Sequence, residues 1–525
     1  MPKPPAPTAP SGPASLTPGL RKYLYFTAAT TGAAIMIVEI LGAKMLAPYL
    51  GTSHFVWTAQ IAVTLVALAT GYYAGGKLVD RAPRLERLYA AILAAALYLA
   101  ATVAVVEPLA YWCLTFKLAV GSLLASALLF FVPLGLLAMV GPFFVRMLTV
   151  AVSGVGGNVG RLTAISTLGS FVGTLLIGYL FIPFLRNSVT MYLTTAVLLA
   201  VSAGYFWSWG RRKTTSAATA VAVLAGMALG AFAVVRDQPA NTAAWTEIHR
   251  ANSNFGRLQV FDDRDTGYRY YLNDFLPQDG TEPRTKQSIF AFTYMLHALA
   301  RGYNTNIQDV LAIGLGVGIA PMQFAREGAR VDAVEINPAI VPVAEKFFDL
   351  EPGRLQLTIG DGRQFANRCE KQYDAILLDA FLGDSVPSHL MSRESFARLR
   401  ALLRPGGVLV INSFGGDSPA ESFITASLEK TLLAAFRSVK LHTSGGGNVF
   451  LIASEKAELQ LRNKLNPQQI HARCRAQVMA AMDGEFRTDP QRGIVLTDDF
   501  NPVEYYDAAN REQTRRQLAA SMRGR

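Results

Sequence analysis

A series of long apolar segments fills the first half of this chain and limits what that half can become. Seven segments, at 23–47, 55–76, 88–106, 118–145, 162–184, 189–209 and 216–235, approach or exceed the length that crosses a hydrocarbon layer, which takes roughly 20 residues in a helix. Inside lipid each backbone polar group needs a partner within the protein, so unbroken apolar runs of this kind fold as helices. The expectation is an N-terminal α-helical multi-pass membrane domain over 21–238, with about seven helices, addressed to the cell (inner) membrane. The mean hydropathy of +0.26 and a charged fraction of only 17% agree with a bilayer partner. Residues 1–20, rich in Pro, Ala and Ser, form a leader too poor in buried apolar surface to order itself. Pro133 and Pro142 interrupt the fourth segment and predict a kink or a partial re-entry there.

Charge sets the topology. Arg21 and Lys22, then Lys77, Arg81, Arg84 and Arg87, then Arg146 and Arg161, then Arg211, Arg212 and Lys213 fall on one side of the spans. The other side carries little beyond Lys117 and Arg186. The positive-inside rule makes the N-terminus cytoplasmic. Seven spans then carry the C-terminal domain to the outer face and an even number would keep it inside, so its side stays open at this level. These flanking cations explain the net charge of +11, and no nucleic-acid-binding module or basic-aromatic platform accompanies them. Glu39, within the first span, is an intramembrane ionisable residue and a candidate for transport. Gly169-x-x-x-Gly173 has the spacing that lets helices approach closely, within the chain or between copies, so a homo-oligomer stays open. Cys113, Cys369, Cys474 and the six histidines are scattered without metal-ligand spacing, and no metal is expected.

The second half, 245–510, is of mixed polarity and carries the chemistry. Residues 257–272 have two apolar-aromatic runs about a charged turn, which predicts a hairpin, and Lys286 to Ala300 have helical spacing. From Asp309 to Glu335 an apolar strand leads into Gly314, Gly316 and Gly318, then a helix, then a second strand ending on Glu335. Glycines at such a turn let a ligand approach the backbone and present amides at a helix N-terminus. A carboxylate about twenty residues on, at the next strand tip, is placed to hold a ribose diol. Further strands end on Asp361-Gly362 and on Asp379, and another follows Pro405-Gly406-Gly407. Alternating strands and helices predict a parallel doubly wound sheet with its ligand at the carboxyl ends. Ile319 occupies the place of the third glycine in the dinucleotide fingerprint, which argues against a nicotinamide or flavin cofactor.

Taken in order, VLAIGLGVGIA, VDAVEINPAIVPVAEKFF, LTIGDGRQFA, YDAILLDAF and LRPGGVLVIN resemble the S-adenosylmethionine-dependent methyltransferase fold, and more closely the spermidine synthase (polyamine aminopropyltransferase) family. The apolar N-terminal half and the stretch Leu496 to Glu504 are similar to those of membrane-fused spermidine synthase-like proteins. The resemblance implies a C-terminal α/β Rossmann-like methyltransferase fold with a small β N-terminal portion. It implies transfer of an aminopropyl group from decarboxylated S-adenosylmethionine to a small-molecule amine, without a metal. The ribose would be held by Glu335, with Gly314, Gly316 and Gly318 beside it, and the adenine edge by Asp361 and Gly362. Asp379 would stand at the active-site mouth and Asp384 would take the general-base role. In soluble members the glycine loop carries an acidic residue that helps recognise the aminopropyl donor, and Val317 stands in its place here. Methyl transfer from S-adenosylmethionine is the alternative within enzymes. A transporter or sensor that binds a nucleoside or polyamine without turnover is the alternative outside them.

Overall fold

The protein is seen here in a computed structural model that describes residues 16–149, 155–210, 244–381, 387–414, 419–443 and 447–506, with scattered positions between 220 and 230 and at 512, 515 and 516. Its chain falls into two units. One comprises Met1–Met45, Thr58–Leu109 and Leu123–Arg236, and the other Leu46–Trp57, Ala110–Ser122 and Asp237–Arg525.

In the N-terminal region six helices among the described residues are long and apolar enough to cross a membrane. They are α1 (Pro18–Leu50), α2 (His54–Arg81), α3 (Leu85–Cys113), α4 (Leu118–Leu148), α5 (Val155–Phe184) and α6 (Asn187–Trp209), and they coincide with the first six apolar segments of the sequence. The seventh expected span, 216–235, lies largely outside the described residues. Bulky apolar side chains such as Leu65, Tyr73, Leu168, Tyr179 and Phe184 point outward and are exposed. Helix α4 runs on past Pro133 because a widened π turn, Ala127–Phe131, precedes it. Such a turn accommodates a ring that would otherwise strike the carbonyl four residues back. The same device, Leu176–Phe181, precedes Pro183 in α5.

The Gly169/Gly173 spacing serves packing inside this unit. A Cβ at Gly169 would sit 2.0 Å from the Ala29 carbonyl oxygen, and one at Gly173 would sit 2.5 Å from that of Ala33. Helix α5 therefore touches the backbone of α1 directly. Gly169→Leu should separate the two helices and destabilise the unit by about 1–3 kcal/mol or more, the usual scale of overpacking. Thermal unfolding of the detergent-solubilised protein would register this as a lower midpoint; an unchanged midpoint would disprove the contact.

After Asp237 the second unit continues with an antiparallel meander of β1 (Trp245–Ser253), β2 (Gly256–Asp263), β3 (Arg269–Asn273), β4 (Leu276–Glu282) and β5 (Gln287–Ser288), paired in that order. The expected hairpin is β2–β3, in register from Leu258 opposite Asn273 to Asp262 opposite Arg269. After α7 (Ala291–Tyr303) comes the main sheet. Strands β6 (Asp309–Ile313), β7 (Arg330–Glu335), β8 (Leu355–Ile359), β9 (Tyr373–Leu378) and β10 (Leu403–Phe414) run parallel. The chain then adds β11 (Ser438–Thr443) and β12 (Asn448–Ser454), of which β12 is antiparallel to both β10 and β11. With the short β13 (Glu485–Phe486) at one edge, the eight strands lie in the order β13-β11-β12-β10-β9-β6-β7-β8. The connecting helices include α8 (Ile319–Arg326), α9 (Ile340–Phe347), α10 (Gly362–Arg368) and α11 (Arg393–Ala401). This is the Rossmann-like methyltransferase fold with a small β portion ahead of it, as expected.

Alternation along the strands builds two cores, one on each face. Val310 and Ala312 of β6 join one cluster, while Leu311 and Ile313 join the other, as a side-chain period of two requires. Strand order reverses at β6: the chain moves to β7 and β8 on one side, then returns to β9 on the other. A crevice opens at such a switch, outside the carboxyl ends of β6 and β9.

Candidate active site

The two ends of the parallel sheet treat their carboxylates in opposite ways. At the amino end Asp309 is buried and ion-paired with Arg330 at 2.6 Å and Arg404 at 2.7 Å. The Arg330 hydrogen bond comes first among the causes that hold its carboxyl well below the usual range. Asp374 bonds Arg404 at 3.0 Å, and Asp332 bonds Lys371 at 3.1 Å and the Tyr373 hydroxyl at 2.6 Å. These acids are structural. At the carboxyl end one cavity is lined by Asp279, Glu335, Asp361 and Asp379, with His389 beside them and neither Lys nor Arg among its described lining residues. Carboxylates left without cations inside a protein are costly unless a ligand supplies the charge.

Each wall has a local cause. Gly314 has φ of +91°, and a Cβ there would lie 2.1 Å from the Asp379 carbonyl oxygen, so only glycine lets β6 turn this close to the end of β9. Glu335, at the tip of β7, uses both carboxylate oxygens on backbone amides. Oε2 accepts from Leu315 N–H at 3.0 Å and Oε1 from Asn337 N–H at 2.7 Å, which ties the glycine loop to the next strand. Burial pushes its carboxyl up, against the opposing pull of those amides. Gly318, also in the left-handed region with φ of +84°, begins α8 and packs under Leu350 without lining the cavity.

Asp361 caps α10 by accepting from Gln364 N–H at 2.8 Å, and its other oxygen meets His389 Nε2 at 2.9 Å. Burial would raise its carboxyl, but the Gln364 amide and His389 outweigh it and hold it below the usual value. Gly362 follows under steric constraint, since a Cβ there would reach 2.3 Å from Ile313 Cγ2. Asp379, half-buried at the end of β9, accepts from Asn412 Nδ2 at 2.9 Å, and Asn412 Oδ1 in turn accepts from Asn448 Nδ2 at 2.9 Å. Burial pushes the Asp379 carboxyl up to about 6, with the Asn412 bond acting in the other direction. Phe255, Phe290, Phe292, Phe381 and Phe414 complete the lining with flat apolar surface, and Phe381 and Phe414 stand 4.8 Å apart between ring centroids.

The sheet thus brings Gly314, Gly316, Glu335, Asp361, Gly362 and Asp379 to one cavity. Asp384 lies outside the described residues. Two lining residues were not candidates in the sequence. His389, which reads as surface packing, is the partner of Asp361. Asp279, on β4, is buried, and Pro277 and Gly280 disguise its strand in the sequence. Asp498 lies outside the cavity lining, where Arg363 Nη1 at 2.6 Å and Ser392 Oγ at 2.5 Å clamp it. Arg363 Nη1 also holds the His389 carbonyl at 2.8 Å.

Comparison with known proteins decides the class of this domain. A family described as spermine/spermidine synthase domain matches residues 289–444, which contain most of this cavity. The C-terminal part of the chain carries a spermine/spermidine synthase domain. The synthase domain is similar to the polyamine aminopropyltransferase of Vibrio vulnificus, 29% identical over 39% of this chain and 71% of that protein. It is also similar to putrescine N-methyltransferase 2 of Nicotiana tabacum, 28% identical over 42% of this chain and 65% of that protein. A probable spermidine synthase from Corynebacterium glutamicum aligns in structure at 17% identity and a TM-score of 0.38, covering 46% of this chain and 91% of its own. The family match and the curated relatives support a transferase enzyme. Among the described residues no group of His, Cys, Asp and Glu is arranged to hold a metal.

Proposed function

We propose that this protein transfers an aminopropyl group from decarboxylated S-adenosylmethionine to a small-molecule amine at the membrane. The observation that carries the reading is the cavity at the sheet's switch point, lined by four acids with neither Lys nor Arg among its described lining residues. Both substrates of this reaction arrive as cations, one a sulfonium bearing an ammonium and the other a protonated amine. The amine gives its proton to a carboxylate, and the freed nitrogen attacks the propyl carbon beside the sulfonium; a C–N bond forms and the C–S bond breaks. The electron pair of the C–S bond returns to sulfur, which leaves as neutral methylthioadenosine, and the product nitrogen carries the positive charge.

The residues take roles their surroundings suit. Glu335 holds the ribose hydroxyls beside Gly314 and Gly316, while Gly318 shapes the turn into α8. Asp361 with Gly362 faces the adenine edge. Asp379, with a carboxyl near 6, is ionised at neutral pH and orients the acceptor amine. Asp384 shares with it the proton-accepting role. The aromatic walls exclude water from the sulfonium.

Methyl transfer is the second reading, because a putrescine N-methyltransferase is among the relatives. Purified full-length protein, given each donor separately with a pool of amines, separates the readings by mass spectrometry. Methylthioadenosine with an aminopropylated amine is the expected pair. S-adenosylhomocysteine with a methylated amine would replace this reading with the second. Binding without product, together with amine uptake that Glu39→Gln abolishes, would replace it with a transporter.

The six described apolar helices and the seventh segment of the sequence suit a multi-pass protein of the cell membrane. With a cytoplasmic N-terminus, seven spans carry the catalytic domain to the outer face and six keep it inside; a topology reporter fused after Arg525 separates the two.

A further inference from the structure

The glycine loop offers no acid to a donor ammonium. Val317 is fully buried in the core beneath the cavity and contributes no charge. Yet a carboxylate is present at the same place in space. Asp279 reaches across from β4 and lies against the loop: its Oδ2 is 3.5 Å from where a Cβ on Gly316 would be, and the Val317 amide is among its hydrogen-bond donors. Its Oδ1 accepts from Gly280 N–H at 3.1 Å. The residue is only 5% exposed and lines the cavity.

We infer that Asp279 is the specificity-determining residue for the donor, binding the ammonium of an aminopropyl tail and rejecting a tail that carries a carboxylate. The inference rests on the proposed transfer reaction and names the group that selects its donor. Three observations support it. Asp279 has backbone amides as partners, whereas the buried acid at the opposite end of the sheet, Asp309, has two guanidinium groups and an ammonium. Burial first, and then the nearby Asp379, push the Asp279 carboxyl well above its usual range, as for an acid awaiting a cation. Finally, an intact methionine tail would bring its α-carboxylate into a cavity whose described lining has no Lys or Arg to receive it.

Placement on β4 also explains how the loop can do without its own acid. The loop supplies the amides, the meander supplies the charge, and the donor's tail lies between two parts of the domain.

The test compares three ligands on the full-length protein and on Asp279→Asn: decarboxylated S-adenosylmethionine, S-adenosylmethionine and methylthioadenosine. Methylthioadenosine keeps the adenosine part but has no charged tail, so it reports whether the variant is folded and its nucleoside site intact. Calorimetric titration should show wild type preferring the decarboxylated donor by at least tenfold. In Asp279→Asn the affinity for that donor should fall tenfold or more, S-adenosylmethionine should bind as well as before or better, and methylthioadenosine should stay within about twofold. Equal losses for all three ligands would mark Asp279 as structural and overturn the inference. A wild-type preference that Asp279→Asn retains would overturn it while leaving the transfer reaction standing. No preference in wild type would overturn both.

Discussion

Asp379→Asn should lose transfer by about 10²–10⁴-fold, the range of a positioned proton acceptor, and should be more stable than wild type at neutral pH. Both effects come from one cause. The Asp379 carboxyl is raised from 3.8 to about 6, mainly by burial, so the folded domain holds its proton more tightly than the unfolded chain does. Below pH 3.8 the group is protonated in both states and has no effect. Between pH 3.8 and about 6 the unfolded chain ionises while the folded domain still holds its proton, so stability falls across that window and levels off above it. The shift is worth about 1–3 kcal/mol at pH 8, and the neutral amide removes it. The amide oxygen introduced by the substitution can still accept from Asn412, so the wall should hold. Urea unfolding at pH 5 and pH 8, with turnover on the same samples, checks the pair. A variant that is less stable at pH 8, or that keeps a tenth of its activity, would contradict the role. For wild type the same carboxyl predicts turnover that rises as pH passes about 6.

Glu335→Ala should weaken binding of any adenosine-containing ligand by roughly 1–3 kcal/mol or more, the scale of a lost charged hydrogen bond. That is about 5- to 150-fold in affinity. The lower part of the range applies if only the ribose contact disappears. Glu335 also fixes the loop, through Leu315 N–H at 3.0 Å and Asn337 N–H at 2.7 Å. Removing it leaves two buried amides without their acceptor and frees the turn that shapes the site, so the loss should exceed that of Glu335→Gln, which keeps an acceptor oxygen. Methylthioadenosine is the right ligand because its affinity does not depend on the charged tail. Unchanged affinity in Glu335→Ala would remove this residue from the site.

What the sequence revealed follows from the range of the forces involved. Glu335 and Asp379 each come at the end of a mostly buried strand, and strands buried on both faces read as continuous apolar runs, whereas Asp361 follows the part-exposed edge strand β8. Their convergence then follows from the topology of a doubly wound sheet. The long apolar helices were legible for a similar reason, since lipid leaves the backbone no other choice. The meander was only partly legible. Its β2–β3 hairpin has aromatic runs about a turn, but β4 includes Pro277 and Gly280 within seven residues, which local propensity reads as a loop. Asp279 was therefore hidden, and its place at Gly316 is a contact across 37 positions of sequence. His389 was missed because its meaning comes from Asp361, 28 residues earlier. For Gly169 and Gly173 the spacing suggested close packing, and only the fold names the partner, α1.

That the four acids lining this cavity, with neither Lys nor Arg among the described lining residues, receive a cation is tested most directly by proton linkage. Decarboxylated S-adenosylmethionine should be titrated calorimetrically into the full-length protein at several pH values and in buffers of different ionisation enthalpy. A cation lowers the pKa of the acids it meets, so binding near pH 6 should release protons, and affinity should weaken on acidification through that value. Methylthioadenosine, uncharged, should show a much smaller response. Proton uptake, or an affinity for the decarboxylated donor that does not change with pH, would contradict the claim.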